Sequence, residues 1–150
     1  IGWMFFILNA VGSLFPIFFL EPLSRKIGRV KTHYLSLLTM SLGYFLIAFY
    51  VRSPQEIYAV FILLSLGWAA VVSLPFAIMT EKVAKNKTGF FMGIFNLSVV
   101  LPQLVSSFVL GHYIEKATDK SLIYQIAAIS LLVSALLWVF VRENPKKSEK

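Results

Sequence analysis

The sequence predicts an all-α integral membrane protein with five transmembrane helices, and three observations carry that reading. Of the 150 residues, 58% are hydrophobic and only 14% are charged, against about 45–50% and about 25% in ordinary globular chains. Five stretches, 1–20, 32–51, 57–80, 88–114 and 121–141, contain no Asp, Glu, Lys or Arg, so every charge falls in the other 38 residues. A soluble amphipathic helix would carry charge on its outer face every turn or so, and none of these stretches does. Runs such as FFILNAVGSLFPIFFL (5–20) also lack the alternation of a membrane barrel strand. Coiled as helices, the stretches each reach about 30 Å or more, the thickness of the hydrocarbon core. A water-soluble globular domain is excluded.

In the first span, 1–20, Asn9, Ser13 and Pro16 share a helix face by spacings of four and three. Asn9 is a candidate ligand contact, with helix packing as the alternative. Pro16 removes an intrahelical bond and frees the Gly12 carbonyl. The connector EPLSRKIGRVK (21–31) places Arg25 and Lys26 where a helix C-terminus favours cations, and Gly28 where a left-handed cap is needed. Arg29 and Lys31 follow at the boundary with an anionic leaflet.

The second span, 32–51, has no proline, and His33 at its edge is expected to be solvated or interfacial. In the third, 57–80, Pro75 frees the Val71 carbonyl. Trp68 is the twelfth of its 24 residues, far from the interfacial belt where tryptophan concentrates. It suits stacking on the apolar face of a pyranose or packing within the bundle, with Ser65 on the same face. The fourth span, 88–114, carries Asn96, Gln103 and Ser107 at spacings of seven and four, which fall within about 20° on a helix. Two amides and a hydroxyl on one stripe suit the hydroxyls of a sugar or the bonding of neighbouring helices; both readings stand. Pro102 frees the Ser98 carbonyl, and Gly89 with Gly93 form a small-xxx-small pair for close helix approach. The fifth span, 121–141, has no proline and leads into a basic tail, 142–150.

Orientation follows from Lys and Arg. Connectors 21–31 and 81–87 and the tail hold eleven, the opposite side three, so the basic loops and the C-terminus are expected to be cytoplasmic. That bias accounts for the net charge of +7 with no need of a nucleic-acid partner. The absence of cysteine removes thiolate metal sites and Cys nucleophiles. No Ser/His/Asp grouping, metal-ligand spacing or phosphate loop appears, so neither an enzyme nor a cofactor or metal site is expected. No stretch carries a carboxylate, Lys or Arg, and an intramembrane ionisable residue is the usual mark of a proton relay. The chain opens inside a span at Ile1, which suggests the C-terminal portion of a longer polytopic protein, with any coupling acid in the missing N-terminal half.

Two motifs carry a family resemblance. The connector at 21–31 resembles the second copy of the signature loop of the major facilitator superfamily, Gly-x-Leu-Ala-Asp-Arg-x-Gly-Arg-Lys. Leu23, Gly28 and Arg29 match, Lys26 is a conservative substitute, and Lys31 stands one place beyond the pattern's Lys. Glu21 stands at the first Gly and Arg25 at the Asp, so the loop's carboxylate is displaced and Glu21 is the candidate to replace it. The pair SLPFAIMTEKV (73–83) and GFFMGIFNLSVVLPQLVSSFVLG (89–111) is similar to the sucrose–proton symporters and the wider glycoside–pentoside–hexuronide symporter branch.

The resemblance implies that the five spans are helices 8 to 12 of a twelve-helix transporter, most of its C-terminal six-helix half. It implies secondary active sugar import by proton symport through alternating access, in a plasma or inner membrane. Helices 8, 10 and 11 would line the cavity and helices 9 and 12 support them, while Glu21, Arg25, Lys26, Gly28 and Arg29 would form a conformational loop. Pro16, Pro75 and Pro102 would supply kinks. The partners implied are the bilayer, a sugar, a proton and the N-terminal half. A non-transporting sensor or scaffold with a transporter fold, or a facilitator for another solute, are the alternatives.

Overall fold

Because hydrocarbon supplies no partner for a backbone N–H or C=O, the apolar segments must satisfy their own, and they do so as helices. The computed structural model describes residues 2–142, the Ile17 side chain excepted. Ile1 lies outside the described residues, as does the tail assigned to 142–150 apart from Arg142. In chain order come α1 (Gly2–Phe15), a π-helical turn (Pro16–Leu20), α2 (Glu21–Ile27), α3 (Arg29–Phe49) and α4 (Pro54–Lys82). A 3₁₀ turn (Lys85–Lys87), α5 (Thr88–Val105), a second π-helical turn (Ser106–Leu110), α6 (Gly111–Lys116) and α7 (Leu122–Trp138) follow. Among the described residues there is no strand.

Helix underlies all five uncharged stretches. α3, α4 and the continuous run Lys85–Lys116 are each long and apolar enough to cross a membrane, and α1 with Phe18–Ile27, bent by 47°, makes a fourth such unit. The 17 residues of α7 rise about 26 Å, a little short of the usual hydrocarbon thickness.

The prolines act differently from one another. Pro16 opens the first π turn, where the Glu21 N–H reaches back five residues to the Pro16 carbonyl. The second π turn opens four residues beyond Pro102, with the Gly111 N–H on the Ser106 carbonyl. A lost donor relieved by a widened turn is a known cause of bending. Pro75 instead lies inside α4, which runs from Pro54 to Lys82 without a break. At the connector, Gly28 has φ 93 and ψ 154, a region open to glycine alone. It therefore ends α2 in a mirror-extended conformation rather than the left-handed cap expected.

Four helices pack in a row: α1 against α4, α4 against α3, and α3 against α7. The α3–α4 contact is tight. A Cβ on Gly67 would overlap Met40 and come within 2.9 Å of the Ser36 carbonyl oxygen, and one on Gly43 would sit 2.7 Å from Leu64 Cδ2. Glycines at these two positions let the backbones approach. Gly89 and Gly93, the pair expected to do this, face open space: a Cβ added at either would meet nothing within 4 Å, because no residue of α5 is buried. Between α3 and α7 the contact is partly polar, with the Ser41 hydroxyl donating to the Ala128 carbonyl at 2.7 Å.

His33 corrects another expectation. It is 2% exposed, with its ring edge-on to Trp138 at 4.4 Å. The helix begins at Arg29 rather than 32, and the last residue of α7 covers the imidazole.

The ion pair of Arg29 with Glu81 and the bond from Lys82 Nζ to the Arg142 carbonyl gather the α2–α3 junction and the ends of α4 and α7 at one end of the bundle. Eight described Lys and Arg lie there with two Glu, whereas the opposite end has three cations and three carboxylates. In the α6–α7 connection at that opposite end, Asp119 accepts the Ser121 N–H and hydroxyl, each at 2.8 Å. These bonds hold its carboxyl below the usual range.

The close α3–α4 approach is testable. Gly67→Ala is expected to lower stability by about 1–3 kcal/mol through overpacking. Gly93→Ala is expected to be neutral or to gain up to about 1 kcal/mol from helix propensity. Thermal unfolding in detergent measures both, and a Gly67→Ala protein as stable as the parent would contradict the packing described.

Candidate functional site

Small and polar residues on facing sides of α1 and α4 leave a cleft of about 270 Å³ between them. Gly12 makes room for an indole: a Cβ there would lie 3.8 Å from Trp68 Cδ1. Trp68, the central residue of α4, stays 46% exposed and forms the cleft wall opposite Asn9, Ser13 and Pro16. The Asn9 amide donates to the Phe5 carbonyl at 2.8 Å, which fixes the side chain and turns its oxygen into an available acceptor. Ser13 donates to the Ala10 carbonyl at 3.0 Å. The structure thus brings Asn9, Pro16 and Trp68 together, adding Ser13, Ser73 and Gly12. An amide, two hydroxyls and an exposed ring around a small cleft can hydrogen-bond and stack a polyhydroxylated solute.

A second cleft of about 270 Å³ is lined by Glu21, Ser24 and Arg29 and shares Pro16 and Ser73 with the first. The two adjoin as one groove, running from the middle of α4 to the basic end. Within the connector, Arg25 and Glu21 pair at 2.6 Å as i,i+4 neighbours. Arg29 reaches across to Glu81 at the end of α4. Lys26 is exposed. The pattern of charges missed Glu81, although its signal was legible: a lone carboxylate directly after the uncharged stretch 57–80, facing a basic connector.

The other candidates are placed apart from this groove. Asn96 and Gln103 lie on α5 and Ser107 in the π turn after it, all exposed, and none lines either cleft. The ring contact of Phe95 with Phe76, 6.2 Å between centroids, joins α5 to α4. Ser65 is fully buried, its hydroxyl donates to the Phe61 carbonyl at 2.6 Å, and it lines neither cleft. No group of three or more His, Cys, Asp or Glu suited to a metal occurs among the described residues.

Over residues 1–150 the sequence matches the family model of the Major Facilitator Superfamily. No curated protein and no solved structure matches it significantly.

The ion pair across the groove's basic end is open to measurement by a double-mutant cycle. Glu81→Gln, Arg29→Gln and the double variant are expected to give a coupling energy of up to about 1 kcal/mol, the range for exposed pairs. A coupling of zero in low-salt thermal unfolding would mean the pair does not tie α3 to α4.

Proposed function

The chain belongs to the major facilitator superfamily, and from that membership we propose that it serves in sugar import by proton symport, with the α1–α4 groove as part of the solute path. It is accordingly an integral membrane protein of a transporter family whose ligand is a small solute. The observation that carries the sugar reading is the pairing of the exposed Trp68 ring with Asn9 across the groove at mid-helix. Aromatic faces stack on the C–H faces of pyranoses while amides address their hydroxyls, and this combination discriminates sugars from purely apolar solutes.

Asn96, Gln103 and Ser107 extend the proposal. Their side chains are exposed on the α5 side, where alternating access would bring a second half of the transporter against them. The connector with Glu21, Arg25, Lys26, Gly28 and Arg29 would act as the conformational loop of that motion, with the Arg29–Glu81 pair fastening it to the end of α4. The uncharged stretches hold no carboxylate, so in this reading the proton-coupling acid lies outside them. The basic end faces the cytoplasm, by the preference of Lys and Arg for that side.

Uptake of a labelled disaccharide into vesicles, with and without a protonophore, tests the reading. Transport that collapses with the protonophore is expected. Asn9→Ala should weaken apparent affinity about two- to tenfold, the value of one hydrogen bond, with membrane level unchanged. Trp68→Phe should retain more affinity than Trp68→Ala, because it keeps a ring. Disaccharide binding without uptake would favour a sensor, and protonophore-insensitive uptake a facilitator.

A further inference from the structure

On the other side of α3, at the basic end, a cleft of about 280 Å³ separates α3 from α7, lined by Val30, Lys31, Tyr34, Trp138, Val139 and Val141. Three valines and the half-buried indole ring make its wall largely apolar, and the Lys31 ammonium, the Tyr34 hydroxyl and the Trp138 indole N–H are the polar side-chain groups of its lining residues. Lys31 is the third residue of α3 and Trp138 the last of α7. The cleft therefore lies at the helix ends, at the depth where lipid phosphates and aromatic belts occur.

Charge selects the occupant. Arg25 and Arg29 have the carboxylates of Glu21 and Glu81, but among the described residues no carboxylate pairs with Lys31, which is exposed. Among the described residues, eight cations against two carboxylates give this end a field that draws anionic lipid, and basic pockets between spans are where such headgroups settle. The wall is also fixed before anything binds. Trp138 is held edge-on by His33 at 4.4 Å, and Lys82 Nζ bonds the Arg142 carbonyl just beyond Val141.

We infer that this cleft binds an anionic phospholipid, with the phosphate against the Lys31 ammonium, the Tyr34 hydroxyl donating to it, and the upper acyl chain along Val30, Val139 and Val141. A general attraction to the leaflet acts through all the cations of this end alike; a site acts through Lys31 and Tyr34.

The test reconstitutes the intact chain in phosphatidylcholine vesicles containing a minority of phosphatidylglycerol, extracts it in mild detergent, and measures retained phosphatidylglycerol by mass spectrometry. The parent is expected to retain it, Lys31→Gln to lose it about tenfold, the scale of one charge-assisted bond, and Tyr34→Phe to lose less. Lys85→Gln, which removes a cation of the same end from outside the cleft, should match the parent. Excess soluble glycerol phosphate should fail to displace the lipid. Equal retention by Lys31→Gln and Lys85→Gln, or displacement by glycerol phosphate, would overturn the assignment. Thermal unfolding in phosphatidylcholine alone, expected to be equal for parent and Lys31→Gln, separates lost binding from lost fold.

Discussion

Everything in this fold follows from the backbone hydrogen bond that hydrocarbon cannot replace. It makes helices of the uncharged stretches, and it extends to their hydroxyls. Thr32 donates to the Gly28 carbonyl at 2.7 Å, Ser65 to Phe61 at 2.6 Å and Ser73 to Ala69 at 2.7 Å. Each of these hydroxyls is satisfied on or beside its own helix, so the helices are free to pack by shape. Where proline removes a donor at Pro16, a π turn absorbs the loss and the helix bends. The same rule explains the positions of charge: the ion pairs Arg25–Glu21 and Arg29–Glu81 form at the ends of helices, outside the stretches that lipid would surround.

Once helices are obligatory, side-chain volume decides their arrangement. Gly43 and Gly67 allow α3 and α4 to meet, α7 adds to α3 through Ser41, and α1 is left against the far side of α4. This ordering gives the bundle two different flanks. Gly12 and the indole of Trp68 hold the α1–α4 side open as a largely apolar groove with a few polar groups, whereas the α3–α7 side closes over His33 and leaves a basic notch at one end.

Much of this was legible in the sequence. The uncharged stretches located the helices because charge is excluded from hydrocarbon, and the family of the connector was readable from Leu23, Gly28 and Arg29, with Lys31 close by. Asn9 and Trp68 stood out because an amide and a mid-span indole are costly without a purpose. Packing was not legible in the same way. Gly89 and Gly93 have the spacing of a helix contact, but whether a partner arrives is a property of the whole bundle, and it arrives instead at Gly43 and Gly67. His33 was misplaced because one sequence does not say that α7 ends over it. Glu81 and Arg29 are 52 residues apart, and their pairing depends on α4 folding back along α3.

If the α1–α4 groove is a solute path, it holds water; if it is a seam between helices, it holds lipid. The chain's lack of cysteine makes the difference directly measurable. Single cysteines at Ser13, Ser73 and, as a lipid-facing control, Leu132 can be challenged with a charged, water-soluble thiol reagent in vesicles. Ser13→Cys and Ser73→Cys are expected to react readily, transported sugar to slow both, and Leu132→Cys to stay inert. Groove cysteines as unreactive as the one at position 132 would contradict a water-accessible path.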